Sequence, residues 1–239
     1  MKRNLIILII STIALTAMGQ SQSIGLQVGF CEPLLRQNTA NDPTKKSNVL
    51  SMNGGKVGFV YDATLVKGFG FSMALNYGFT GQSAKWQQVG PSLYPKQRIS
   101  YQMHTIELPI DWQYKFQIAQ NTLLIVYTGP TIQYNFLFNE HTRRQDLDPV
   151  TKRPVDTDLG KTNRYAIDSD GDGVRDYTPL NILWGVGAGF QYKNYYLRGG
   201  YDFGIYSHYR DGRNDTGDYA NHARFDQWGL RLGWYFLNF

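Results

Sequence analysis

The chain has 239 residues, of which 18% are charged and 15% aromatic, with 17 Tyr, 13 Phe, 5 Trp and 25 Gly. That balance favours β structure over helix, and a formal net charge of +5 gives no case for nucleic acid. The single cysteine, Cys31, excludes an intrachain disulfide framework and a cysteine-based zinc site.

Lys2 and Arg3 precede an apolar run over residues 5–17, followed by the small residues of Ala17-Met18-Gly19. This is the pattern of a secretory signal peptide, with cleavage expected after Gly19. Residues 1–19 are thus read as signal and 20–239 as one β domain. The alternative, an uncleaved anchor, would need a longer apolar run.

The first expected strand, 23–31, alternates Ile24, Leu26, Val28 and Phe30 against Gly25, Gln27, Gly29 and Cys31. A polar stretch follows, then a second strand at 56–65 with Val57, Phe59, Tyr61 and Ala63 on one face. Three residues, Val66-Lys67-Gly68, separate it from the clearest strand of the chain, 68–80. There Phe69, Phe71, Met73, Leu75, Tyr77 and Phe79 form one file, and Gly70, Ser72, Ala74, Asn76, Gly78 and Thr80 the other. A period of two with such unlike faces is β structure. Its recurrence along the chain, with aromatics at the segment ends, suggests an apolar file facing lipid.

A loop over 82–97 leads to the fourth strand, 99–116. Here Ile106, Leu108, Ile110, Trp112, Tyr114 and Phe116 alternate with polar residues, and Pro109 predicts a bulge or local break. The fifth strand, 122–138, has the file Leu124, Val126, Ile132, Tyr134, Phe136, Phe138. Residues 139–177, rich in charge and proline, read as a long irregular loop. The last three strands are 180–192, 195–206 and 224–239.

The connections run long, short, long, short, long, short, long. Short periplasmic turns, long outer loops and an even strand number belong to outer-membrane barrels. The expected fold is therefore all-β: an eight-stranded antiparallel up-and-down transmembrane β-barrel with short periplasmic turns and long extracellular loops. No inner run of about 20 apolar residues offers a helical span, and the mean hydropathy of −0.40 fits a barrel whose lumen and loops are polar.

The inward file brings Lys56, Lys115, Arg198 and Arg231 to membrane depth, against Asp62, Glu107, Asp111 and Asp202. Charges in so small a lumen need partners, and eight strands leave an interior that side chains can fill. The expectation is a plugged lumen held by ion pairs; a narrow polar conduit is the alternative. Cys31 is expected to be a small lumen-facing residue.

Residues 104–116, HTIELPIDWQYKF, resemble the YLEIPLLLKYKF strand of the PorT-like outer-membrane β-barrel family of Bacteroidetes. Tyr127-Thr128-Gly129-Pro130 resembles that family's next strand, residues 185–192 its GxGAGxxY strand, residues 197–204 its LxxxYxxG strand, and residues 230–236 its closing LSLGYRF. The resemblance implies a barrel of OmpA/OmpX size in a Bacteroidetes-like outer membrane. Through the family's name-giving branch it also implies an accessory role in a type IX-like secretion assembly. Asp111-Trp112-Gln113 is more polar than the family strand.

In the long third loop, Asp168, Asp170, Asp172 and Asp176 occupy positions one, three, five and nine of an EF-hand-like series, with Gly173 at six. The carbonyl of Val174 would be the position-seven ligand. Position twelve falls on Pro179, so the bidentate glutamate is absent, and the series resembles the DxDxDGxxD repeats of thrombospondin type 3 regions. Structural Ca2+ is one reading of this loop; a solvated acidic loop is the other. Arg143, Arg144, Lys152 and Arg153 are candidates for contact with lipopolysaccharide phosphates, or an ordinary solvated surface.

Some barrels of this size modify lipid A, and Ser207, His208 and Asp211 are the residue types such an enzyme would need. Adjacent strand residues point to opposite faces, however, which argues against pairing of Ser207 with His208. The function expected is non-enzymatic: a structural or interaction protein acting through its outer loops, alone or in a larger envelope complex. Its partners are outer-membrane lipid, lipopolysaccharide and other outer-membrane or secretion proteins.

Overall fold

Eight long strands pair antiparallel with their neighbours in sequence, and the last closes on the first. They are β1 (Ser21–Thr39), β3 (Asn53–Val66), β4 (Phe69–Ser83), β6 (Lys96–Ala119), β7 (Thr122–Leu147), β9 (Leu180–Tyr192), β10 (Tyr195–Gly204) and β11 (Asn221–Asn238). Pairing of β1 with β11 runs from Ser23 opposite Asn238 to Thr39 opposite Asn221, so no long strand keeps an open edge. Three short strands, β2 (Asn48–Ser51), β5 (Gln87–Gln88) and β8 (Pro154–Asn163), pair with the outer parts of β1, β6 and β7. The computed structural model describes residues 21–39, 48–90, 94–168, 173, 175–208 and 221–239. Residues 1–19, read above as a signal peptide, lie outside the described residues.

The alternation seen in the sequence points the apolar file outward. Val28, Phe59, Leu75, Ile106, Phe190 and Leu232 are exposed, while Gln27, Asn76, Glu107, Gln133 and Arg198 are buried. A protein in water has the opposite arrangement, so this exterior is built for lipid. Aromatic contacts mark both rims of the apolar band. Tyr61 packs on Phe71 and Trp234 on Phe236 near the tight turns; Phe30 packs on Trp228 and Phe79 on His104 at the other end. The stretch from Phe71 to Phe79 has the roughly 9–11 residues that a tilted strand needs to cross a bilayer.

The tight turns lie together at the end where Gln22 pairs with Phe239. Lys67 and Gly68 both take positive φ (45° and 87°), the backbone that a right-twisted hairpin needs. At Pro109 the sequence predicted a bulge or a break, and the structure has a break. Pairing of β4 with β6 lapses between Met73–Ile110 and Asn76–Glu107 and then resumes in the same register.

Two expectations change. Residues 139–177 are not irregular throughout, because β7 continues to Leu147 and pairs back with β8 as an extended hairpin. Every residue of β8 is exposed or nearly so; with water on both faces there is no apolar file to reveal the strand. Phe138, expected outward with Phe136, is fully buried. His104 lies opposite Leu137 but Thr105 opposite Asn135, so Phe136 is the extra residue of a bulge, and the bulge turns the next side chains over.

The glycine file of β9 has a steric cause. A side chain at Gly187 would begin 2.3 Å from the ring of Tyr127, and one at Gly233 would begin 2.1 Å from Tyr196. Tyr127, Tyr196 and the Arg198 stem fill the lumen over those glycines, so large inward residues on one strand require small ones on the next.

Candidate functional site

The lumen is occupied by a layered polar network. Asp62, on β3, lies at its centre, taking an ion pair from Arg198 at 2.9 Å and another from Lys115. It also accepts hydrogen bonds from the Gln113 amide (2.8 Å) and the Tyr235 hydroxyl (3.0 Å). Nearer the outer end, Lys56 pairs with Glu107 at 2.5 Å. The same glutamate accepts from Gln133 (2.7 Å), whose own oxygen accepts from Asn181 (3.0 Å). Arg231 stands 3.8 Å from Asp111 and donates to the Tyr127 hydroxyl at 3.2 Å. Asp202 is met by the Gln227 amide at 3.3 Å.

Of the eight lumen charges read in the sequence, seven thus join opposite charges and Asp202 meets an amide. Desolvated ions demand this degree of satisfaction, since losing one partner leaves a buried charge uncompensated. The supporting residues that sequence reasoning did not assign to the lumen network are Gln27, Asn76, Gln113, Gln133 and Asn181 with Tyr127, Tyr196 and Tyr235. Their signal was present: each is a polar or aromatic residue out of phase with the apolar file. A cavity of about 20 Å³ between Cys31, Lys56, Glu107, Asp202 and Arg231 leaves room for roughly one water.

Above this network the character of the filling reverses. Leu35, Met52, Met103, Phe138, Tyr165, Tyr177 and Phe225 form a buried apolar cluster at the outer mouth. Tyr165 and Tyr177 reach it from the third loop, and His208 reaches it from the loop after β10. His208 is fully buried, stacked edge-on to Phe225 (4.7 Å between centroids) and Tyr165 (5.4 Å) and tilted against Tyr177 (5.7 Å). Its backbone is held too, donating to Ala223 at 2.5 Å and accepting from Thr178 at 2.9 Å. Burial, with the Arg164 charge adding to it, pushes the His208 imidazole pKa down to about 3.

Arg164 caps the cluster. It donates to the Tyr177 hydroxyl at 2.7 Å, lies over the Tyr177 and Phe138 rings, and stands 3.8 Å from Glu140. The 3-10 turn Arg164–Ala166 is started by Asn163, whose side chain accepts from the Tyr165 amide at 3.1 Å. This second plug was not read from the sequence, because its residues come from separate segments scattered from β1 to β11 with no common spacing.

His208 bears on the enzymatic reading. Neither ring nitrogen has a hydrogen-bond partner among the described residues, and Asp211 lies outside them. No hydrogen-bonded nucleophile–base–acid chain is assembled among the described residues. For the acidic series, Asp170, Asp172 and Val174 lie outside the described residues. Asp168 accepts from the Gly173 amide at 2.9 Å, and Asp176 is buried with its own amide donating to Ile167 at 3.0 Å. Arg143 and Arg144 lie on the β7–β8 hairpin, while Lys152 and Arg153 stand at its tip.

An inverted exterior, a closed ring of eight strands and a filled polar lumen define an integral outer-membrane β-barrel. The chain belongs to the outer membrane protein beta-barrel domain family, which matches residues 18–210. No curated relative matches the chain. Among solved structures it is similar to Ail, the attachment invasion locus protein of Yersinia pestis, in complex with the heparin analogue sucrose octasulfate. That likeness has 9% identity and a TM-score of 0.37, covering 90% of this chain and 99% of that one. It is also similar to Neisserial surface protein A (9% identity, 88% and 97% covered, TM-score 0.32). A third is the N-terminal β-barrel domain of Pseudomonas aeruginosa OprF (11%, 86% and 97%, 0.26).

Proposed function

We propose that the protein is a non-enzymatic outer-membrane barrel with a plugged lumen that works as a structural and interaction protein through its extracellular surface. The observation that carries this reading is the pairing of β7 with β8. The hairpin extends the barrel wall outward, with Asn139 opposite Asn163 and Leu147 opposite Pro154, while both the lumen and the mouth beneath it are filled. The protein thereby offers a strand-built outer platform above a filled barrel.

Two finer readings accompany this proposal. The acidic loop 168–176 binds Ca2+ structurally through Asp168, Asp170, Asp172, the Val174 carbonyl and Asp176, ordering a loop whose fixing otherwise costs chain entropy. The PorT-like resemblance makes a subunit of a type IX-like secretion assembly the second reading of the partner.

The test is a native, detergent-solubilised pull-down of the tagged protein, with and without a calcium chelator. Deletion of residues 146–154 should release the co-purifying envelope proteins and leave the barrel folded. Recovery of secretion proteins would select the second reading. A lone barrel under every condition would remove the interaction role. Loss of the partner set on chelation, mimicked by Asp168→Asn, is expected if the loop holds calcium.

A further inference from the structure

The outward face of one wall carries cations in register. Arg98 on β6 lies opposite Arg143 on β7, Ser100 lies opposite His141, and β8 sets Lys161 opposite His141. Directly opposed residues of an antiparallel ladder project from the same face, here the face of His104. His104 belongs to the outer aromatic rim, bonded through Nδ1 to the Tyr77 hydroxyl at 2.7 Å and packed on Phe79 and Phe136. Such a rim marks the membrane–water boundary. At about 3.3 Å per residue, the rungs of Ser100 and Arg98 stand roughly 10–20 Å further out, where headgroups and their sugars lie.

The same rungs border an open groove of about 490 Å³ that runs along Phe79, Gln82, Ser83, Arg98, His141 and Arg143. Arg98 is steadied by a hydrogen bond to the Ser83 hydroxyl. Asp158 lies 2.8 Å from His141 and 4.0 Å from Arg143. With Asp156 beside Gln145 it partly offsets the wall's charge, but Arg98, Arg143, Lys161 and Lys96 outnumber the two carboxylates. The far wall differs. There Asp226 takes Arg36 at 2.7 Å and Arg224 at 3.4 Å, and Glu32 accepts from Trp228 at 2.5 Å. Arg36 and Arg224 lie opposite one another and converge on the one buried carboxylate of Asp226.

We propose that the β6–β7–β8 wall is a binding site for the phosphorylated inner sugars of lipopolysaccharide, with Arg98, Arg143 and Lys161 on the phosphates and the groove receiving a sugar. This inference rests on the outer-membrane reading above. Guanidinium groups suit it because they present paired donors to phosphate oxygens. The sidedness is its structural signature: a lipid annulus surrounds the whole barrel, yet on this wall four cations, Lys96, Arg98, Arg143 and Lys161, outnumber two carboxylates beside an open groove. The opposed Arg36 and Arg224 of the far wall instead share the carboxylate of Asp226.

The test uses the full chain folded in detergent and a short lipopolysaccharide consisting of lipid A and inner core, alongside the same probe after dephosphorylation. The triple variant Arg98→Gln, Arg143→Gln, Lys161→Gln should bind the phosphorylated probe at least tenfold more weakly. A control removing three cations away from this wall, Lys67→Gln, Lys193→Gln, Arg224→Gln, should stay within twofold of the unaltered protein. Equal binding by the two triple variants overturns the proposal, as does equal binding of the dephosphorylated probe. Displacement by millimolar inorganic phosphate alone would mean a free-phosphate site and overturn the lipid assignment. If the first triple variant fails to fold, Ser100→Glu places a carboxylate on the same face, and unchanged binding by it is equally fatal. Insertion of the unaltered chain into membranes tests the outer-membrane reading separately, and the hairpin pull-down tests the interaction role.

Discussion

The guanidinium of Arg198 meets the carboxylate of Asp62 at 2.9 Å inside the lumen, although 136 residues separate them in the chain. Both side chains are 2% exposed, and Lys115 shares the same carboxylate. One anion therefore holds two cations contributed by different strands. Asp62→Asn should destabilise the barrel by about 3–5 kcal/mol, the usual cost of leaving buried charge uncompensated. Asp111→Asn should cost less, because its partner Arg231 stands further away, at 3.8 Å. Urea unfolding in lipid vesicles reads both, and an Asp62→Asn midpoint equal to that of the unaltered barrel would show that the lumen is hydrated.

Two stacked fillings, one polar and one apolar, predict an electrically silent barrel. Planar-bilayer recordings should show no steady open level in the unaltered protein. The variant Tyr165→Ala, Tyr177→Ala, which empties the mouth, should remain silent because the Asp62 and Glu107 layers still block the path below. A stable conductance in the unaltered protein would be incompatible with this packing.

The close approach of Tyr196 to Gly233 predicts coupling. Gly233→Val introduces atoms where the Tyr196 ring already lies, and overpacking of this kind costs about 1–3 kcal/mol. In a double-mutant cycle with Tyr196→Ala, the two losses should fall short of additivity by about 1 kcal/mol or more. Additive losses would mean that the ring moves aside at no cost.

His208 makes the outer plug sensitive to acid. Its pKa is about 3 in the folded protein, against roughly 6.5 for an exposed histidine. Between those values the unfolded loop binds a proton that the folded one does not. Stability is complete above pH ~6.5 and falls as the pH drops towards 3, by about 2 kcal/mol at pH 5 for a fully buried ring. Protease cleavage within residues 164–180 should therefore accelerate between pH 7 and pH 5, and His208→Phe should abolish the acceleration. An acid response that persists in His208→Phe would place the sensor elsewhere.

The parts of this molecule legible in the sequence are those where one strand face meets lipid and the other does not. The residues of 68–80 declare their faces because Phe, Met, Leu and Tyr alternate with Gly, Ser, Ala and Asn, and β4 occupies nearly that span. The lumen charges were legible for the same reason, since Lys56, Glu107 and Arg198 interrupt the small-residue file. Where both faces meet water, as in β8, alternation vanishes and only the backbone ladder defines the strand. The misplacement of Phe138 has another cause: a single bulged residue inverts everything beyond it, and bulges follow from the register of two strands together. The plug around His208 was invisible because Tyr165, Tyr177 and Phe225 are neighbours only in space.

The continuity of β7 has a consequence for what a cell displays. Its 26 residues would extend ~85 Å along the strand at ~3.3 Å each, or about 65 Å along the barrel axis at a tilt near 40°, against an apolar band only ~25 Å tall. The hairpin end thus stands like a mast some tens of ångströms above the membrane. On a cell with a short sugar coat an end at that height would stand clear of the surface; beneath a long polysaccharide it would be submerged. Coat length alone then decides whether the same folded molecule can be reached from outside.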